Sequence, residues 1–272
     1  MITLDKYYTQ KNSPIALFDS GVGGLTVLNE LKKILPNENF VYYGDTLHMP
    51  YGEKTKAQLL EYSDNIFKFF ESKNCKCVVM ACNTTSSVIY EDVKNKYNFK
   101  LYSIVHSVSE ILSKLEIERL GIFATRATIT SGAYQTKIAQ YNKSINVFGQ
   151  YCPQWVHIVE ENAMNIPKNI EIIRNDLEKM LKNKPEKIVL GCTHYPFLLN
   201  VLEKFADKDI FIDPAKPFAQ YIANDLKLNH LLNDRKTQQD EFYVSSNPEN
   251  FKHSAKMFYE LPNNPELLIF QN

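Results

Sequence analysis

The sequence predicts an α/β protein built as two pseudo-symmetric parallel-sheet α/β domains that face each other across a central cleft. Three observations carry that expectation. Short apolar runs alternate with helix-length amphipathic stretches, the signature of βαβ units. The ends of those runs recur at nearly matching intervals in the two halves of the chain. In each half the third run ends in a cysteine followed by small polar residues, CNTTSS at 82–87 and CTHYP at 192–196.

Taken in order, IALFD (15–19) reads as the first strand and breaks at the Gly-rich SGVGG (20–24) before the helical LTVLNELKKIL. FVYYGD (40–45) is the second strand, followed by the helical QLLEYSDNIFKFFES (58–72). KCVVMAC (76–82) and LYSIV (101–105) complete the first half. The second half repeats the rhythm with RLGIFAT (119–125), INVFGQ (145–150), EKIVLGC (186–192) and DIFID (209–213). Asp19, Cys82 and Val105 end strands in the first half where Thr125, Cys192 and Asp213 end them in the second. Any α/β chain spaces its strands in this range, so the repeat gains its meaning from the chemistry at the matched ends.

Composition removes several classes of function. The chain has 272 residues, with 31 Lys and Arg against 31 Asp and Glu, so no basic surface for nucleic acid or membrane is expected. No run approaches the ~18 apolar residues of a membrane span and the N-terminal stretch has no signal-like pattern, which together predict a cytoplasmic protein. Five cysteines, an odd number, with Cys75 and Cys77 too close to bridge comfortably, predict free thiols rather than a disulfide framework. The only close spacings are C-x-C and C-x-H, and no metal site is expected.

In open parallel sheets, ligands bind beyond the carboxyl ends of the strands, where helix N-termini converge. Cys75, Cys77 and Cys152 fit the ordinary role of a buried small hydrophobe. Cys82 and Cys192 fit it less well, because packing does not ask for Asn-Thr or Thr-His after the thiol. A cysteine at a helix start also meets the positive end of the helix dipole, which favours thiolate. Two thiols brought to opposite sides of one carbon suit a two-base epimerisation, one removing a proton while the other delivers one. Asp19, Ser20 and the glycines after them could hold a carboxylate or an ammonium group; the segment is neither a dinucleotide fingerprint nor a P-loop.

FDSGVGG, YYGDTLHMPYG, ACNTTSS, ATRATITSGAY and GCTHYP, in this order, resemble the motif set of glutamate racemases within the cofactor-independent aspartate/glutamate racemase family. The C-terminal EFYVSSNPENFKHSAKMFY is similar to that family's returning strand and helix. The resemblance implies a first domain of residues 1–106 plus 217–272, a second of 107–216, and an active site between them. It implies interconversion of L- and D-glutamate without metal or pyridoxal cofactor, supply of D-glutamate for peptidoglycan, and a homodimer. Carried over residue by residue, it makes Cys82 and Cys192 the acid/base thiols, Cys82 acting on the D form and Cys192 on the L form, with Asp19 and His194 assisting. Asp19, Ser20, Tyr51, Gly52, Asn83, Thr84, Thr193 and His194 would hold the amino acid.

Other readings stand beside these roles. Asp19 could be a helix cap, Pro-Tyr-Gly at 50–52 a plain turn, His194 a structural cap residue, and Glu160 a surface carboxylate although it matches an acidic position of the family. Thr125 and Thr128 could donate to substrate or cap a helix. The chain departs from the family at Leu47 and His48 and at Ser103–His106, where a Gly/Pro-containing hinge is usual. A racemase for aspartate or another amino acid is the nearest rival, although GCTHYP favours glutamate. An acyl-transfer enzyme using Cys192 with His194 is a second, disfavoured because side chains two apart at a helix start are expected to diverge and because Cys82 would have no role. A non-catalytic binding protein on the same fold is a third.

Overall fold

The computed structural model describes residues 11–236 and 238–270. Among the described residues, ten strands pair in parallel and fall into two sheets. The first half supplies β1 (Ile15–Asp19), β2 (Phe40–Gly44), β3 (Cys77–Met80) and β4 (Lys100–Ser103). The second supplies β5 (Arg119–Ala124), β6 (Asn146–Tyr151), β7 (Lys187–Gly191) and β8 (Phe211–Ile212). Two later strands, β9 (Glu241–Val244) and β10 (Glu266–Leu267), return to the first sheet.

The sheet orders are β10-β9-β2-β1-β3-β4 and β6-β5-β7-β8. Leaving aside the returning strands, both follow one plan: second, first, third, fourth. In such an order the chain crosses from one side of its first strand to the other, and a crevice opens beyond the carboxyl ends of the first and third strands. Those ends are Asp19 and Cys82 in one half and Thr125 and Cys192 in the other. The repeat expected from the sequence is therefore a repeat of topology.

Strands β1 and β3 are buried at every residue, as parallel strands covered by helices on both faces should be. Alternate β1 side chains feed two different cores. Ile15 and Leu17 join a cluster that continues through the helices Leu25–Ile34, Ile104–Leu112 and Ala215–Leu228 into the second domain. Ala16 and Phe18 face a separate cluster with Phe67, Phe70 and Tyr97, under the helix Lys56–Ser72. The first of these cores makes the junction between domains a continuous apolar contact. Leu25, Val27, Leu28 and Leu31 alone bury four aliphatic side chains there, each worth about 1.5–3 kcal/mol.

Local chemistry fixes where helices begin. Thr55 and Gln58 form a reciprocal capping box: the Thr55 hydroxyl accepts from Gln58 N–H at 3.3 Å and the Gln58 carbonyl accepts from Thr55 N–H at 3.0 Å. Thr125 caps the helix Arg126–Ser131 by accepting from Thr128 N–H, so the expected capping role is present. The helix Ala133–Tyr141 follows directly after Gly132, whose φ of 64° turns the chain there. Among the described residues, no helix is long and apolar enough to cross a membrane.

Candidate active site

A cavity of about 60 Å³ lies between the two domains at the carboxyl ends of the strands. It is lined by Ser20, Tyr51, Gly52, Asn83 and Thr84 from the first domain, by Thr193 and His194 from the second, and by both Cys82 and Cys192. Asp19 lies just behind this wall, fully buried, and joins it through Thr193. All the residues selected from sequence thus converge on one place. No Lys or Arg side chain lines the cavity among the described residues. Among the described residues no group of three or more His, Cys, Asp or Glu side chains could hold a metal ion.

Asp19 ends β1. One carboxylate oxygen accepts from Gly21 N–H at 3.0 Å and the other from the Thr193 hydroxyl at 3.3 Å, so this side chain ties the two domains together. Burial raises its pKa to about 6, against the opposing pull of His194 and the hydrogen bonds. Ser20 follows, its hydroxyl 4.0 Å from the Cys82 sulfur.

Cys82 sits two residues beyond β3, as the residue before the helix Asn83–Val88. Its thiol is pushed up to about 12, first by burial and then by the nearby Asp19. The expectation that the helix start would favour a thiolate here is not met: the helix is short, and burial and then the charge of Asp19 both raise the thiol. Cys82 is a protonated thiol.

Cys192 is placed differently. It follows β7 directly, and the chain then turns through His194 into the tight helical turn Tyr195–Leu198. Tyr195 N–H closes that turn on the Cys192 carbonyl at 3.0 Å. Cys192 and His194 therefore do not diverge as expected from a regular helix start: the sulfur lies 3.8 Å from His194 Nδ1. On the far side of the ring, Nε2 meets Glu160 Oε1 at 2.5 Å. Burial works against charge on the imidazole, but hydrogen bonds to Cys192 and Glu160 outweigh it and raise the His194 pKa well above the usual value. The imidazolium is the form this environment holds.

Glu160 is thus part of the site, not a surface carboxylate. The helix Trp155–Glu160 presents it, anchored by Trp155, which packs against Tyr195 with ring centroids 5.0 Å apart. The local sequence WVHIVEE carries no periodic signal that separates Glu160 from Glu161; only the resemblance pointed to it.

Asn83 and Thr84 start the helix after Cys82 and both cross the domain boundary. Tyr134 O–H donates to Asn83 Oδ1 at 2.8 Å, and the Thr84 and Thr125 hydroxyls meet at 2.9 Å. The Asn83 Nδ2 group is buried with no partner. A buried amide without an acceptor carries a desolvation cost that a bound anion would remove.

Tyr51 offers its ring to the cavity, while its hydroxyl is held by Asp45. Asp45 in turn accepts from the Ser245 hydroxyl at 2.7 Å and meets His48 Nδ1 at 2.8 Å. The unusual His48 therefore closes a network under the 50–52 turn, its ring stacked on Tyr62 with centroids 3.8 Å apart. His106 is further off. It bonds Ser103 at 2.7 Å and Glu91 at 3.2 Å, and burial lowers its pKa to about 4.

Two similar domains meeting over a pair of cysteines define an α/β enzyme that works on a small molecule held between them. A family model described as Asp/Glu/Hydantoin racemase matches residues 31–222, and the chain belongs to that family. It is 38% identical over 244 residues to a glutamate racemase of Carboxydothermus hydrogenoformans, covering 90% of this chain and 91% of the relative. A glutamate racemase of Trichodesmium erythraeum is 37% identical over 238 residues, covering 87% and 88%. Among solved structures, the glutamate racemase of Francisella tularensis in complex with D-glutamate is similar with a TM-score of 0.84 at 30% identity, covering 96% of this chain and 98% of that one.

Proposed function

We propose that this protein is a glutamate racemase in which Cys82 and Cys192 exchange the α-proton of glutamate from opposite faces. The observation that carries the reading is the convergence of two thiols, from equivalent strand ends of two similar domains, on one small cavity. Relatives that are glutamate racemases across nearly their whole length support the choice of substrate.

With L-glutamate bound, the Cys192 sulfur acts as base and takes the Cα proton, beside the imidazolium of His194. The electron pair left on Cα delocalises into the α-carboxylate, where the unpartnered Asn83 Nδ2 and the Thr84 hydroxyl are the donors. The Cys82 thiol then delivers its proton to the other face, giving the D form. In reverse, Cys82 is the base and Cys192 the acid. Asp19, with a pKa near 6, stands beside Cys82 as His194 stands beside Cys192, so each thiol has a neighbour able to hold a proton between turnovers. No step calls for a metal or pyridoxal group. Production of D-glutamate for peptidoglycan, a cytoplasmic location, a homodimer and a division at residues 106/107 and 216/217 belong to the same reading.

Cys82→Ser and Cys192→Ser should each nearly abolish racemisation, since a serine hydroxyl is a far poorer base. Elimination of HCl from threo-3-chloroglutamate needs abstraction on one face only. Cys82→Ser should retain it with the L-configured compound and Cys192→Ser with the D-configured one. One variant keeping full racemase activity, or both handling both compounds alike, would sink the two-base reading. Circular dichroism of turnover with enantiopure glutamate and aspartate decides between the two substrates.

The contact of Cys192 with His194 and of His194 with Glu160 favours one other reading, a single-nucleophile acyl-transfer enzyme. It predicts a thioester on Cys192 and a dispensable Cys82. Mass spectrometry of the quenched enzyme and turnover by Cys82→Ser separate it from racemisation.

A further inference from the structure

We infer that Tyr134 is a positioning residue for the reaction: its hydroxyl fixes the Asn83 amide with the N–H₂ group toward the substrate, and does so from the opposite domain. The inference rests on the reading above, in which Asn83 donates to a substrate carboxylate.

An asparagine side chain presents a carbonyl on one side and an amide donor on the other, and a half-turn of the amide exchanges them. At a site for an anion only one orientation is useful. In the first domain nothing selects it: no described partner of the Asn83 side chain comes from its own domain. The selection comes from Tyr134, in the helix Ala133–Tyr141, whose O–H donates to Asn83 Oδ1 at 2.8 Å. Both side chains are buried, at 1% and 2% exposure, so water does not compete for either. Burial also raises the Tyr134 pKa, which keeps the phenol protonated as a donor across the working range. With Oδ1 occupied, Nδ2 is left as a buried donor without a partner in a residue that lines the cavity.

The consequence joins binding to closure. Asn83 is set for substrate only when the second domain lies against the first, because the hydroxyl that sets it travels with the second domain. Separating the domains would free the amide to turn its carbonyl toward the carboxylate, weakening the grip on product as the cleft opens.

Tyr134→Phe removes one oxygen and keeps the ring. KM for both enantiomers should rise about tenfold, the loss of one well-placed hydrogen bond, with a smaller fall in kcat. A role in packing alone would lower the melting temperature and leave KM in place. The decisive comparison is a double-mutant cycle. On an Asn83→Ala background, Tyr134→Phe should change KM no further; the same factor on both backgrounds, or no change in KM on the wild-type background, overturns the inference. Asn83→Asp tests the underlying reading separately. It keeps an acceptor for Tyr134 but puts an oxygen where the donor was, so KM should rise steeply; an unchanged KM would remove Asn83 from the substrate site whatever Tyr134 does. Should Tyr134→Phe fold poorly, the side-chain amide signal of Asn83 in the wild-type chain, assigned by its loss in Asn83→Asp, is read by NMR. It should be one sharp pair that shifts on adding D-glutamate, and a pair unmoved by saturating D-glutamate counts against the inference.

Discussion

Asp19 shows how far one residue's surroundings set its behaviour. In the unfolded chain its carboxyl ionises near 3.8; in the fold, burial moves that to about 6. Between those values the folded state holds a proton that the unfolded state has released. Stability from this group is therefore full below pH 3.8 and is lost as the pH rises through 6, by about 3 kcal/mol in all. Asp19→Asn cannot ionise and should escape that loss. Denaturation in urea from pH 4 to pH 7 should show the variant gaining on the wild type as pH rises, while racemase activity falls steeply. A gap that stays constant with pH would mean that the carboxyl is not raised. The same scale separates what was legible in the sequence from what was not. Cys82 and Cys192 announced themselves because a thiol followed by Asn-Thr or Thr-His is poor packing chemistry. Glu160 and Tyr134 did not, because a glutamate in a half-exposed helix and a tyrosine in an ordinary one look like surface and core until another element meets them.

At the level of elements, the strands were legible because most are short apolar runs closed by Asp, Cys, Thr or Gly, and all eight expected strands form. LYSIV, however, does not run to Val105: the strand stops at Ser103, whose side chain caps the helix Ile104–Leu112 and draws Ile104 and Val105 into it. The order of the strands in each sheet was not legible, since periodicity records which face is buried and not which neighbour covers it. Nor was the device that holds the amino-terminal ends of the first sheet. Lys76, just ahead of β3, is fully buried; its ammonium meets Glu38 at 2.5 Å, the carbonyls of Leu231 and Lys11 at 2.8 and 3.0 Å, and Asn233 at 3.1 Å. Glu38 also accepts from Asn233 N–H at 2.9 Å. One ion pair thus gathers the entry to β3, the entry to β2 and the loop before β9. A lysine is rarely found without solvent, and only these satisfied bonds make it tolerable. Lys76→Met strands the Glu38 charge and should cost about 3–5 kcal/mol in urea denaturation. Because this cluster lies at the ends of the strands opposite the cleft, kcat/KM of the folded fraction should be unchanged. A large loss of kcat/KM in well-folded protein would show that the two ends of the sheet communicate.

Across the whole molecule, function depends on how closely the two domains approach, and Gly23 marks the point of contact. Among the described residues only Gly132 is a glycine at positive φ, so Gly23 is not needed for its backbone angles. It is needed for space: a methyl group there would fall 2.3 Å from the Thr193 hydroxyl and 2.7 Å from His194 Nδ1, both in the second domain. Neither neighbour yields easily. Thr193 is bonded to Asp19, and His194 is held between Cys192 and Glu160 with Phe258 against its ring. Side chains of both domains wall the cavity, so parting of the domains would admit substrate and a return to this contact would rebuild the site for catalysis. Gly23→Ala leaves the domain cores untouched and blocks only the return. We expect a melting temperature close to wild type and kcat/KM lower by on the order of a hundredfold for both enantiomers, since a displacement of about an ångström is enough to spoil proton transfer between fixed groups. Lys76→Met is the matching control, losing stability and keeping activity. If Gly23→Ala were as active as the wild type, close approach of the glycine turn to Thr193 and His194 would not be part of the catalytic state, and the domains would have to work from a more open arrangement.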